Sequence, residues 1–284
     1  MKPYFSIVIA NYNFGEFLPA AIQSVLSQSF QDFELIIVDG GSTDNSCDVI
    51  RNYACGEQGR KITWWCSESD NGQSDAFNKG FAHATGKYLT WLNADDILMP
   101  NALKYVWEKL EKSRAADWAT GNFIRFRNSD RKIIQAEWGP HFLPPFFQGR
   151  HFPLVIFGPT TFWKKSVYDK LGGIDESLHY GMDTEYWWRM TVNEHKQVRV
   201  NHDLWAFRMH ERSKTAEFGE HKNSADVQKI KTTEYYYFIK KHNINLKWWA
   251  LLLIRTLRII DLSYVRRIWR RIFLVGMKFE DSYV

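Results

Sequence analysis

The chain has 284 residues, 45% hydrophobic and 24% charged, the composition of a folded globular protein and not of a disordered one. Its formal charge of +5 sits at one end: from Leu246 onward eight Lys/Arg stand against three acids, so the first 245 residues are neutral. That excludes a general nucleic-acid-binding surface, and no apolar run approaches the ~20 residues that span a bilayer.

Taken in chain order, Ser6-Ile-Val-Ile-Ala10 is a continuous apolar run, the mark of a parallel strand buried on both faces. It starts close to Met1 and ends at Asn11, too short for the apolar region of a signal peptide, so a cytoplasmic location is expected. Phe17, Ala21, Val25 and Leu26 follow at helical spacing. Glu34–Val38 predicts a second strand, and Asp44 a cap for the helix carrying Val49 and Ile50. Ile62–Trp65 predicts a third strand, Ala76–Ala82 a helix closed by Gly86, and Tyr88–Leu92 a fourth strand. This alternation predicts an α/β fold: a doubly wound, mostly parallel sheet flanked by helices. Cys47, Cys55 and Cys66 are odd in number and form no Cys-x-x-Cys pair, which predicts buried free thiols in a reducing compartment.

Beyond Pro100 the pattern changes. A helix is expected from about Ala102 to Lys112, and a small antiparallel part between Trp118 and Trp138. Residues 139–160 carry Pro140, Pro144, Pro145, Pro153 and Pro159, which marks an irregular, functional loop region. Further helices are predicted near Lys165–Leu171, Asp183–Asn193 and Lys222–Lys241. In the basic tail, Ile254, Leu257, Tyr264, Val265, Ile268 and Ile272 share one helical face. Arg255, Arg258, Arg266 and Arg270 fall largely opposite, and Trp248, Trp249 and Trp269 add interface-seeking rings. This is the pattern of a basic amphipathic helix on an anionic membrane, with residues 246–275 in contact. The other reading is a helix that packs its apolar stripe on the domain, or on another subunit, and exposes its arginines.

Three predicted strands end in polar groups: Asn11 after the first, Asp39 after the second, and Asn93 with Asp95 and Asp96 after the fourth. In open parallel sheets ligands bind outside the carboxyl ends of the strands, so these side chains are expected around one cleft. Acids gathered there repel one another unless a cation sits among them. A hard divalent metal holding a nucleoside diphosphate resolves that conflict. Taken singly, each motif also reads as ordinary structure. Asp39-Gly-Gly-Ser-Thr-Asp44 reads as a turn with a helix cap, and Asp95-Asp96 as the cap of a following turn.

Taken together, the blocks carry a resemblance. Ser6-Ile-Val-Ile-Ala-Asn-Tyr-Asn13, Leu35-Ile-Ile-Val-Asp-Gly-Gly-Ser-Thr-Asp44, Asp70-Asn-Gly-Gln-Ser-Asp-Ala-Phe-Asn-Lys-Gly80 and Trp91-Leu-Asn-Ala-Asp-Asp96 resemble the N-terminal half of family 2 glycosyltransferases of the GT-A fold. Gly172–Glu176, Met182–Arg189 and Arg208–Thr215 resemble their C-terminal half. The resemblance implies a nucleotide-sugar-binding half (1–115) and an acceptor and catalytic-base half of the same domain (116–245); composition sets apart the basic amphipathic helical tail (246–284). It implies that Asp39 reads the nucleoside base, with Asn11 and Tyr12 lining that pocket and Asp70 and the Gly72 turn in the donor site. Asp95 matches the last aspartate of the family's Asp-x-Asp, which binds Mn2+ or Mg2+, with Asp96 in reserve. Asp183 matches the catalytic base, and His210, Ser213 and Lys214 the late element that closes over the pyrophosphate. Two positions depart from the family pattern: Asn93 stands where the first aspartate is usual, and Met182 where a glutamate precedes the base.

One metal-binding acid and one separate base, with no second carboxylate as nucleophile, describe a single displacement with inversion. The expected donor is a nucleotide sugar, a UDP-sugar by preference. The expected acceptor is a saccharide, lipid-linked, in surface polysaccharide assembly on the inner face of the membrane; no nucleic acid partner is expected. A sugar-nucleotide nucleotidyltransferase would show a Gly-rich basic loop after the first strand, which Asn11-Tyr-Asn-Phe-Gly15 is not. A membrane-recruited sugar-binding scaffold would have no need of Asp39, Asp95 and Asp183. A dehydrogenase would carry Gly-x-Gly-x-x-Gly there.

Overall fold

Continuous apolar strands need cover on both sides, and the computed structural model shows how they get it. It describes residues 2–57, 59–137, 160–214, 225–244 and 263–279. The proline-rich stretch, Trp248, Trp249, Ile254, Arg255, Leu257 and Arg258 lie outside the described residues.

Strands β1 (Phe5–Asn11), β2 (Phe33–Asp39), β3 (Ile62–Ser67) and β4 (Tyr88–Asn93) form a parallel block in the order β3-β2-β1-β4. The period of two sorts their side chains. Phe5, Ile7, Ile9, Leu35 and Ile37 pack with helices α1 (Leu18–Leu26) and α4 (Ala102–Lys112). Val8, Ile36, Val38, Leu89 and Trp91 pack with α3 (Gln73–His83) and α6 (Met182–Val192) on the other face. Each such side chain, fully buried, contributes about 1.5–3 kcal/mol. The fit of α3 on the sheet depends on Gly80, where a Cβ would lie 2.3 Å from Val8 Cγ1. Helix α2 (Ser46–Cys55) follows β2, and Asp44 accepts the Ser46 N–H at its start.

The sheet continues past β4 and changes character. Strand β5 is Ile97–Leu98, β6 Trp118–Arg127, β7 Ile133–Glu137 and β8 Thr161–Lys164, with β9 at Gln197–Met209. β8 is antiparallel to β4 and β6, and β7 antiparallel to β6. β9 runs parallel to β6, and β5 antiparallel to β9. One sheet therefore passes through both expected halves, and the predicted antiparallel part joins them. Helix α5 (Lys165–Leu171) leads toward α6.

Two further helices are described after β9: α7 (Ala225–Lys241) and α8 (Ser263–Leu274). The residues after α8 are sewn to β7. Gly276 N–H donates to Ile133 O at 2.8 Å, Ile133 N–H to Met277 O at 2.8 Å, and Phe279 N–H to Arg131 O at 2.6 Å. Phe279 is buried and stacks on Phe126 at 4.4 Å. Helix α8 keeps its apolar row on the outside. Arg270 faces inward and pairs with Asp203, while Val265, Ile268, Trp269, Ile272 and Phe273 are 54–70% exposed. The other reading, arginines out and apolar stripe packed on the domain, is not the arrangement here: Arg270 turns inward because Asp203 on β9 offers it a partner. The three cysteines are free thiols as expected, but none is buried and Cys55 is exposed.

Candidate active site

The strand register gathers the polar strand ends. Asn11 pairs with Asp39, Asp39 with Ser67, and Ala10 with Asn93, so one edge of the sheet carries them all. Above that edge lies a cavity of about 660 Å3. Asn11, Tyr12, Asp70, Asn93, Asp95, Asp183 and Lys214 line it; Asp39, Asp96, His210 and Ser213 do not.

Asp39 stands behind the wall. Its carboxylate accepts hydrogen bonds from Asn11 Nδ2 (2.6 Å), Ser42 N (2.9 Å), Ser42 Oγ (2.5 Å) and Ser67 Oγ (2.6 Å), and it is fully buried. It holds the turn, and its backbone neighbour Gly40 faces the cavity. Asp70 comes close to Gly40: a Cβ there would lie 2.6 Å from Asp70 Oδ2, so a larger residue would displace that carboxylate. Asn11 Oδ1 is buried without a partner at the same wall, an acceptor left over once Nδ2 is spent on Asp39. Tyr12 is 60% exposed beside it. Asp70 accepts from Gly72 N at 2.8 Å, and burial pushes its carboxyl above the ordinary aspartate range.

The Asn93–Asp96 turn separates its two acids. Asp96 points into the protein: Oδ1 accepts the Arg208 N–H at 2.9 Å, Oδ2 accepts Asn93 Nδ2 at 2.7 Å, and the residue is fully buried. Burial, with the charge of Asp95 adding to it, pushes its carboxyl well up. Asp96 is thereby spent on structure, which removes it from the metal set in which the sequence placed it in reserve. Asp95 reaches the cavity, with Oδ2 3.0 Å from His210 Nε2. His210 is wedged between Phe17 (4.5 Å) and Phe14 (5.5 Å) and is not the surface residue that its charged neighbours suggest. Ser213 Oγ closes the turn by accepting the His210 N–H at 3.1 Å and donating to Arg208 O at 3.2 Å.

Asp183 stands in the first turn of α6, where Oδ1 accepts from Thr184 N at 2.6 Å. Burial raises its carboxyl above the usual range, the direction a general base needs. Met182, in the position expected for glutamate, is buried and accepts a hydrogen bond from Ser74 Oγ at 3.0 Å, tying α6 to α3. Lys214 Nζ donates to Gln73 Oε1 at 3.2 Å, and burial lowers its pKa to about 8 against the charges of Glu234 and Asp183.

Sequence reasoning passed over several lining residues. Gln73 donates to Asn93 Oδ1 at 2.8 Å and so links Asn93 to Lys214; it stood in a recognised block without a role. Arg212 donates to Asn13 O at 2.9 Å and pairs with Glu16, joining the last block to the first. His179, Tyr180, Phe123, Arg125, Trp205 and Phe207 complete the wall. They come from three segments, and no local pattern announces them.

With the geometry in view, the sequence model of Glycosyl transferase family 2 matches residues 6–171. That stretch holds Asn11, Tyr12, Asp39, Asp70, Asn93, Asp95 and Asp96 and stops short of Asp183, His210, Ser213 and Lys214. A glycosyltransferase of Nostoc is 44% identical over 108 residues, covering 38% of this chain and 33% of the relative. The chain thus matches about a third of that relative's length. Among solved structures, Staphylococcus aureus TarS 1–349 in complex with UDP-GlcNAc superposes with a TM-score of 0.60 at 17% identity, covering 87% of this chain and 68% of that one. The Pyrobaculum calidifontis mannosyltransferase PcManGT, in complex with GDP-Man and Mn2+, gives 0.57 at 13% identity, covering 95% and 83%. At these identities the likeness is one of fold, and the fold is of the GT-A type.

Proposed function

This chain belongs to glycosyltransferase family 2, and on that premise we propose that it moves a sugar from a nucleotide-sugar donor to a hydroxyl of a saccharide acceptor, with inversion. The carrying observation is that Asp95 and Asp183 open onto one cavity while Asp70, the third carboxylate there, is tied into its own turn. In this reading Asn11 Oδ1 and Tyr12 meet the nucleoside, and a UDP-sugar is the favoured donor, as in the TarS complex. The acceptor oxygen attacks the anomeric carbon and its proton passes to Asp183. The bond from that carbon to the phosphate oxygen breaks, and the nucleoside diphosphate leaves with its charge facing Lys214 and Arg212.

Asp95 and His210 are the residues that would hold Mn2+ or Mg2+. Among the described residues no group of three or more His, Cys, Asp or Glu is placed to hold a metal, so at most two side chains of these kinds would hold it here. That suits a hard cation which keeps phosphate oxygens and water as its other ligands. When bound, it neutralises charge growing on the leaving diphosphate. The test is Asp183→Asn. The variant should keep the thermal shift produced by its nucleotide sugar and lose transfer by at least about 10²-fold. Full activity in that variant ends the assignment.

The lipid-linked acceptor and the peripheral membrane location rest on α8. No helix among the described residues is long and apolar enough to cross a membrane. The outward row Val265, Ile268, Trp269, Ile272 and Phe273, with Arg266 and Arg271 also exposed, suits a helix lying in the interface plane.

A further inference from the structure

Helix α7 bears on the candidate base from outside the cavity. Helix α6 begins at Met182 with Gly181 as its N-cap, and no side chain of its own caps it. The first amides of a helix need acceptors. Glu234, more than fifty residues later, accepts the N-cap amide and the two amides that lead into it. One of its oxygens accepts the His179 N–H at 2.6 Å; the other accepts those of Tyr180 at 2.8 Å and Gly181 at 3.0 Å. Three consecutive backbone amides thus converge on one carboxylate, each bond charge-assisted. The clasp has further fixings. Tyr237 Oη donates to Asp175 at 3.2 Å, Lys241 Nζ reaches Asp175 at 2.6 Å and the fully buried Glu185 at 3.2 Å, and His242 Nε2 lies 2.9 Å from Glu185. Trp188 packs against Phe238 and His242.

The loop so held carries His179 and Tyr180 into the cavity wall and passes directly into Met182 and Asp183. We propose that Glu234 is a positioning residue for the transfer: by fixing amides 179–181 it sets where the Asp183 carboxylate stands against the acceptor hydroxyl. The proposal rests on the reading of Asp183 as the base. Glu234 touches no substrate. Its hydrogen bonds act through the backbone, and a shift of about 1 Å in a reacting group costs as much as 10²-fold. Its charge also bears on Lys214, and Glu234→Gln, which removes the charge and keeps an acceptor, separates the two.

The test uses the full chain and the variants Glu234→Ala, Glu234→Gln, Asp175→Asn and Asp183→Asn. Hydrogen exchange at amides 179–181 is read first, and should quicken at least tenfold in Glu234→Ala. Kinetics follow with the nucleotide sugar that raises the wild-type melting temperature most. In Glu234→Ala kcat should fall at least about tenfold while KM for the donor stays within about twofold. Glu234→Gln, which keeps one accepting oxygen, should lie between. Asp175→Asn loosens α7 without touching the loop amides; it should lower the melting temperature and leave kcat in place. Unchanged exchange at 179–181, unchanged kcat in Glu234→Ala, or an equal kcat loss in Asp175→Asn would overturn the proposal. Full activity in Asp183→Asn removes the base reading instead, and the exchange result still decides whether Glu234 holds the loop.

Discussion

Asn93 shows why a neutral residue stands where the family pattern favours an acid. Its amide donates to the buried Asp96 and accepts from Gln73, so an aspartate there would remove that donor and set a second carboxylate within hydrogen-bond distance of Asp96. The neutral residue lets Asp96 stay buried and Asp95 stay in the cavity. Lys214 is the complementary case, a cation held in a wall that disfavours charge. With its pKa lowered to about 8 chiefly by burial, it is charged at neutral pH and loses that charge as pH rises through about 8. If Lys214 meets the leaving diphosphate, kcat/KM for the donor falls on the alkaline side of that value, because this ratio reports the free enzyme. Lys214→Arg keeps its charge at any working pH, so the alkaline limb should move upward or vanish. A limb that stays in place in Lys214→Arg assigns the titration to another group.

At the scale of elements, α7 is held to the rest by charge more than by apolar contact, and charge responds to pH. Asp175 is desolvated, yet its bonds to Lys241 and Ser177 outweigh burial and lower its carboxyl to about 2. A depressed carboxylate stabilises the fold above its unfolded pKa, and that stability is lost as pH falls toward the folded value. The window therefore runs from about pH 4 down to about pH 2. Because Lys241 is about a third exposed, the contribution is discounted to about 1–2 kcal/mol. Denaturant melts of wild type and Asp175→Asn should differ by that much near neutrality and converge across the window. A constant difference from pH 7 to pH 2 rules out the latch as an acid-sensitive element.

The elements also show what was legible in sequence and why. β1, β2 and β4 were readable because strands buried on both faces must be apolar without interruption, and α4 because its stripe is clean. β9 was not: its first half is mostly half-buried or exposed, with Val200 alone buried, and its partner β6 lies some eighty residues away. The polar strand ends were legible as a group. That Asp95 faces the cavity while Asp96 faces the core was not, since at a turn the choice is made by Arg208 and Asn93. Glu234 left no local signal, because its meaning lies in three amides of another segment.

For the molecule as a whole, α8 raises the question of what covers its outward face. The apolar stripe was legible from its period, but its direction was decided by Asp203, which draws Arg270 inward. The docked end at Phe279 also fixes how the face should be tested. Truncating the tail would remove a core residue, so substitution on the outer face is the cleaner probe. Trp269 is 60% and Phe273 54% exposed, and their rings touch at 4.3 Å, so together they form the natural wedge for a lipid interface. A large apolar side chain taken fully out of water contributes about 1.5–3 kcal/mol, against about 1 kcal/mol for each basic residue near an anionic surface. Insertion should therefore outweigh charge. The double variant Trp269→Glu, Phe273→Glu should lose sedimentation with phosphatidylserine-containing vesicles, whereas raising salt should weaken wild-type binding only in part. Its melting temperature and its turnover on a water-soluble acceptor should stay close to wild type, since neither ring packs into the domain. Complete release by salt alone would make the arginines the anchor. A wild-type dimer in light scattering that the double variant dissolves would assign the face to a second copy of this chain and not to lipid.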